Sequence, residues 1–145
     1  MKKENRERVR FVKSELDNYY HLKDRAVQNN FRAYELQARI DKVSSGSPSK
    51  IPIANSEFNP HWRSPLFDEL EYIEKEIDND LYRVARVDEF LSKLDTEERE
   101  MITRLHLSRN DKRTYISYCL EVYMDRKTLY RHIAKIILDN WLWTE

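Results

Sequence analysis

SPLFDELEYIEKEIDNDLYRVARVDEFLSKL, residues 64–94, marks a long helix both by its opening and by its spacing. Ser64 is a good N-cap, Pro65 suits the first helical position, and Asp68 and Glu69 complement the positive end of the helix dipole. Leu66, Leu70, Ile73, Ile77, Leu81, Val84, Val87, Leu91 and Leu94 follow, 28 residues in eight steps. Their mean spacing of about 3.5 is the period of a coiled-coil seam. Glu71 and Glu74 fall on the charged face. A partner for this seam lies upstream, where about Glu4 to Val43 reads as helix through Val9, Val12, Leu16, Tyr20, Val27, Phe31, Tyr34 and Ala38. Lys23 interrupts that line, and Asn29-Asn30 is expected to mark a break or kink. The simplest fold for residues 4–94 is two long antiparallel helices. Their seam packs within the chain or against a second chain as a homodimer, and the spacing leaves both open.

Between the helices, residues 44–64 hold the only glycine and three of the four prolines, so a loop is expected there. Ile51, Ile53, Phe58 and Trp62 suggest that part of it packs down, against the competing view of a disordered linker.

The whole 145-residue composition agrees with an all-α chain. One glycine excludes Gly-rich phosphate cradles and speaks against a hairpin-rich β fold. Nine tyrosines, five phenylalanines and three tryptophans are too many aromatics for a solvated coil. The start, MKKENRERVR, is charged with no apolar region after it, so no signal peptide is expected. No stretch approaches the length of a membrane span, so no membrane partner is expected. The lone Cys119 suits a reducing compartment. His21, His61, His106 and His132 are scattered without metal-ligand spacing, so neither a metal nor another cofactor is expected.

Zero net charge hides an asymmetry. Residues 1–50 carry 12 Lys/Arg against 7 Asp/Glu, residues 66–101 carry 5 against 13, and residues 108–138 carry 7 against 3. The acidic stretch reads first as a solvated helix face; the sharper reading is that it repels DNA or meets a basic partner. The basic C-terminal stretch has to be judged alone. Asp95-Thr96-Glu97-Glu98 has the spacing of a capping box. A short helix should follow through Met101, Ile102 and Leu105 to about Leu107, then a turn over Ser108–Arg113 and a helix from Thr114 to Val122. Tyr123-Met124 turns the chain, and Asp125 caps a last helix to about Trp141.

Two short helices across a three-residue turn is the helix-turn-helix arrangement. In the second, Leu129, Ile133, Ile136 and Ile137 form an apolar stripe. Cations and hydroxyls occupy other faces, as insertion into a DNA major groove requires. The candidate DNA-binding residues are Lys112, Arg113, Thr114, Arg126, Lys127, Thr128, Tyr130, Arg131 and Lys135. The plainer reading is a solvated helix face, since any exposed helix carries Lys and Arg.

The run LDTEEREMITRLHLSRNDKRTYISYCLEVYMDRKTLYRHIAKII, from Leu94, resembles region four of bacterial sigma factors, the part that reads a promoter element. It resembles still more the small phage regulators of the ArpU and RinA type, which join such a module to an N-terminal helical region. The likeness covers residues 94–138; over 1–93 it extends only to an architecture of long helix, Pro-containing loop with a tryptophan, and long helix. Leu94 and Glu97–Arg99 stand at the family's LxxxER opening, and Cys119 where a small alanine is usual. Val122 and Met124 flank the turn, and Asp125 replaces a serine cap. Arg126 and Thr128 match directly, Leu129 and Ile133 match buried positions, and Arg131 matches a basic one. Tyr123 stands where glycine is common, which predicts a distorted or shifted turn.

The resemblance implies a sequence-specific DNA-binding regulator of phage or prophage origin. It would activate late or packaging genes, with double-stranded DNA and host RNA polymerase as partners in the cytoplasm of a Gram-positive host. On this reading residues 1–94 are a helical hairpin for protein interaction or oligomerisation, and residues 95–145 the DNA-binding module. The alternative is a small terminase-like packaging protein, although those usually place the DNA-binding unit before the oligomerisation helices. A helical interaction protein that binds no nucleic acid is a third reading. No catalytic set emerges, so no enzyme is expected. Cys119 reads as a small core residue, His132 as a phosphate contact or a packing residue, and Trp141-Leu142-Trp143 as a tail that folds back on the helices or docks a partner.

Overall fold

The structure, a computed structural model, describes residues 1–45, 63–109 and 114–143, and all secondary structure among them is helical. The elements are α1 (Lys3–Asp17), α2 (Tyr19–Ser45), α3 (Arg63–Ser92), α4 (Thr96–Ile102), a π-helical turn (Thr103–Leu107), α5 (Tyr115–Val122) and α6 (Arg126–Asn140). None of these helices is long and apolar enough to cross a membrane. Most of the expected loop, including Ile51, Ile53, Phe58 and Trp62, lies outside the described residues. The chain forms two compact units: the described residues of Met1–Leu22 with Tyr82–Glu145, and those of Lys23–Leu81. The boundary expected near residue 94 is not where these units divide.

The first unit is built around one apolar core. Val9, Val12 and Leu16 of α1, Tyr19 and Leu22 of α2, and Val84, Val87 and Phe90 of α3 contribute to it. So do Leu94, Met101, Ile102, Leu105 and Leu107, together with Leu129, Ile133, Ile136 and Ile137 of α6. The N-terminal break comes at Asn18, not at Asn29-Asn30, which lie inside α2. Asn18 sits at φ −89°, ψ −2°, in the sparsely populated bridge region, where a short polar side chain competes with the helix for hydrogen bonds. The ladder barely notices: Asn18 N–H donates to Ser14 at 3.0 Å and Leu22 N–H to Asn18 at 2.8 Å.

Entry to α4 follows the sequence closely. Glu98 N–H donates to Asp95 Oδ1 at 2.8 Å, and Asp95 N–H donates to Glu98 Oε1 at 3.1 Å, closing the capping box. The tail folds back, with Trp141 buried against Phe90 (centroids 5.6 Å) and edge-on to Phe11 (6.4 Å). Arg86 lies over the Trp141 ring at 5.0 Å and donates to the Leu142 carbonyl at 2.7 Å. Arg8 lies over Trp143 at 5.2 Å. Lys93 donates to the Asn140 carbonyl at 3.3 Å, so a cation meets the negative end of α6. Two further ties stitch this unit: Arg83 grips Glu15 with both Nε (3.0 Å) and Nη2 (2.8 Å), and the Tyr19 hydroxyl donates to Asp88 at 2.6 Å.

In the second unit, α2 and α3 residues pair in antiparallel order, Arg25 with Asp80 and Arg32 with Glu69. Leu36, Ile40, Leu70 and Ile73 form its small core, with Ala33, Leu66 and Ile77 packed against it. Here the expected seam is wrong in two places. Val27, Phe31, Tyr34 and Ala38 are exposed, Tyr34 by 79%, while Ala26, Leu36 and Ile40 are buried. On α3, Leu81 is 49% exposed and Asp80 is fully buried. A strict alternation of three- and four-residue steps from Ile77 reaches position 80, and Arg25 makes a carboxylate tolerable there. Its Nε and Nη2 donate to the two carboxylate oxygens at 2.7 and 2.6 Å, and this bond raises the Arg25 pKa further above its ordinary value. The start of α3 also differs: it begins at Arg63, so Ser64 and Pro65 lie inside the first turn.

Trp141→Ala should lower the unfolding free energy by about 3–5 kcal/mol, the range for a buried aromatic. Leu81→Ala should lower it by about 1 kcal/mol or less, since its side chain is already half in water. Arg25→Met should cost roughly 3 kcal/mol, the low end for breaking a buried pair because Arg25 is itself a third exposed, by leaving the Asp80 carboxylate buried without its partner. Urea unfolding of the three variants checks all of these.

Candidate nucleic-acid interface

The apolar stripe read from the sequence fixes how α6 sits. Leu129, Ile133, Ile136 and Ile137 are all buried, so the opposite face is open to solvent by the geometry of a helix with 3.6 residues per turn. Lys127, Arg131 and Lys135 stand on that open face at four-residue steps, with Thr128 and His132 beside them, all exposed. Arg126 and Tyr130 are exposed as well, but they fall on the side of the buried Ile133, Ala134 and Ile137, near the start of the helix. Among the described residues, none of Arg126, Lys127, Arg131 and Lys135 is in an ion pair. Asp125 occupies the N-cap position, but its side chain makes no capping hydrogen bond.

α5 is capped as expected, with Ser117 N–H donating to Thr114 Oγ1 at 3.0 Å. Thr114 is exposed, but its hydroxyl oxygen is therefore already engaged. Lys112 and Arg113 lie outside the described residues. Cys119 is half-buried and packs against the core, as does Met124, whereas Val122 is exposed.

The turn between the helices falls where the sequence puts it, between Val122 and Arg126. Tyr123 itself adopts the left-handed conformation, φ 55°, ψ 42°, that glycine takes more easily. Met124 N–H then donates to the Cys119 carbonyl at 3.1 Å, closing the end of α5. The Tyr123 side chain is 97% exposed, so no packing of the ring offsets the backbone strain; the burial of the α6 stripe on one side and of Tyr118 on the other holds the turn.

One cluster behind this face was missed by sequence reasoning. Tyr130 of α6 stacks on Tyr115 of α5 with centroids 4.8 Å apart and planes at 26°. The Lys13 ammonium of α1 lies 4.9 Å from the first ring centre and 5.0 Å from the second when counted from Tyr115 to Tyr130. Arg126 also approaches Tyr130, at 5.9 Å from the ring centre. Burial lowers the Lys13 pKa, opposed by the nearby Asp17 carboxylate. Burial pushes the Tyr115 hydroxyl well above its ordinary value, helped by Tyr130 and Asp17, so it stays a donor across the physiological range. His106, buried in the π-helical turn, joins the group: Nδ1 is 2.8 Å from Asp17 and Nε2 is 2.8 Å from the Tyr115 hydroxyl. A carboxylate only accepts, so Nδ1 donates to Asp17, while Nε2 shares the second hydrogen bond with the Tyr115 hydroxyl. Asp17, His106 and Tyr115 thus tie α1 to α5. Such a cluster joins residues up to 117 apart in sequence, and no local spacing announces it.

No protein-family model, curated protein or solved structure matches this chain.

Tyr123→Gly should raise stability by up to about 1 kcal/mol, because the left-handed penalty of a side chain disappears while glycine adds some unfolded-state entropy. Thermal unfolding checks the sign: a loss of stability would mean that the tyrosine ring contributes to the turn.

Proposed function

We propose that this protein is a sequence-specific DNA-binding transcriptional regulator, with α6 as the helix that enters the major groove. The observation that carries the reading is the division of α6 into a fully buried stripe and an open face bearing Lys127, Arg131 and Lys135, with no ion pairs to these cations among the described residues. A short capped helix and a three-residue turn precede it, the order found in helix-turn-helix modules. The Arg guanidinium pairs bidentately with guanine, and Lys neutralises phosphate. The resemblance of residues 94–138 to sigma region four, and to ArpU- and RinA-type regulators, supports the finer reading. On it the protein activates late or packaging genes of a phage or prophage, alone or as a homodimer, together with host RNA polymerase in the bacterial cytoplasm. It has no enzymatic role in this reading.

The test is selection of bound duplexes from a random pool, followed by binding isotherms at several salt concentrations. Arg131→Ala should weaken binding to the selected site by roughly 1–3 kcal/mol if it reads a base. If it meets only phosphate, all sequences should weaken alike, and the slope of log K against log salt should fall by about one. Unchanged affinity in both Arg126→Ala and Arg131→Ala would remove α6 from the interface. Binding to a selected site without any effect on transcription in vitro would overturn the regulatory role.

A further inference from the structure

α1 carries two sets of cations that are used differently. Arg8 pairs with Glu4 at 3.1 Å and covers Trp143, so it serves the fold. Lys3, Arg6, Arg10 and Lys13 follow steps of three, four and three residues, which puts them in one stripe along the helix. That stripe borders the buried line Val9, Val12 and Leu16 on the side away from Arg8. Lys3, Arg6 and Arg10 are exposed, and among the described residues none of the three is in an ion pair. They sit close together, lining shallow surface depressions with Met1, Glu7 and Lys13. Glu7 is the acid that borders them. Like charges at these spacings repel and weaken a helix, so helix stability does not explain the stripe, whereas an external polyanion does.

The stripe ends beside α6. α1 packs directly on α6, and Lys13, at the inner end of the stripe, lies 5.0 Å from the centre of the Tyr130 ring, which Arg126 also approaches, at 5.9 Å. Next round α6 from Tyr130 and the buried Ala134 come Lys127 and Arg131. The stripe from residue 3 to residue 13 is about 15 Å long at 1.5 Å per residue, comparable with the rise of some four nucleotides of one strand at 3.4 Å each.

We infer that Lys3, Arg6 and Arg10 of α1 bind the phosphate backbone of the DNA duplex beside the segment read by α6, with Lys13 and Tyr130 as the joint between the two contacts. This rests on the reading of α6 as the groove-entering helix. Phosphate contact extends the footprint and raises affinity for every sequence, leaving discrimination to α6. Because α1 and α6 belong to one compact unit, the two contacts bind as a single surface.

The test compares full-length wild type, the double variant Arg6→Ala/Arg10→Ala and Arg131→Ala on a selected duplex and on a scrambled duplex, across a salt series. Both exposed arginines are outside the core, so the double variant should melt like wild type. The expected result is a several-fold loss on both duplexes alike, an unchanged ratio between them, and a salt slope shallower by roughly two. Affinity and slope unchanged in the double variant, while Arg131→Ala still weakens binding, would overturn the α1 contact alone and leave an acidic protein as the partner for the stripe. A changed ratio between the two duplexes would overturn the assignment to phosphate. Failure of wild type to bind any duplex at low salt would overturn this inference and the DNA-binding reading together.

Discussion

The apolar back of α6 must be buried, and that requirement organises the first unit. Residues 95–145 hold too little apolar material to do it alone; a segment of some fifty residues is marginal as an independent domain. The structure meets the shortage by sharing. α1, the first residues of α2 and the end of α3 supply Val9, Val12, Leu16, Leu22, Val84, Val87 and Phe90 to the same core that receives Leu129, Ile133 and Ile137. Trp141 extends that core past the end of α6 and brings Phe11 and Phe90 onto one indole. The N-terminal segment is thus part of the body on which α6 is mounted, and the orientation of the open α6 face is set by residues more than a hundred positions upstream.

Local signals in the sequence were good guides where the structure depends on local chemistry. The Asp95–Glu98 box, the Thr114 cap and the α6 stripe each involve residues within one or two turns of one another, and all three form as their spacing predicts. Spacing also places Lys127, Arg131 and Lys135 on the open side of α6. The element boundaries that went astray, at Asn18 and Arg63, are places where a single residue decides between nearly equal alternatives. The aromatic and histidine cluster at Lys13, His106, Tyr115 and Tyr130 was illegible for a different reason: it exists only once α1, the π-helical turn, α5 and α6 are packed.

The seam errors share one cause. Choosing the largest apolar residue at each turn selects Val27, Phe31 and Tyr34 on α2 and Leu81 on α3, all of which are exposed. The buried positions are instead Ala26, Leu36 and Ile40 on α2, with Ala33 partly buried, and Asp80 on α3. Alanines let two helices approach closely, and a carboxylate is excluded from a seam only while it lacks a counter-charge. Arg25 supplies that charge from the facing helix, with Glu76 also within 3.4 Å of it. A pattern of hydrophobicity alone has no means of seeing such a pair, because the two members lie 55 positions apart.

The same pairing explains how a chain of zero net charge can present a basic face. The acids concentrated in residues 66–101 are not simply a solvated surface: Glu69 and Asp80 take Arg32 and Arg25, and Asp88 takes the hydroxyl of Tyr19. Further cations are held by Glu15, by the Trp141 ring and by the Leu142 carbonyl. Acids and cations that serve packing thereby neutralise one another inside each unit. Lys3, Arg6, Arg10, Lys127, Arg131 and Lys135 stand outside that arrangement, exposed and without ion pairs among the described residues. Net charge averages over both populations and so hides the second one. What an approaching ion meets within a Debye length of about 8–10 Å is the local, unneutralised set, which among the described residues includes these cations of α1 and α6.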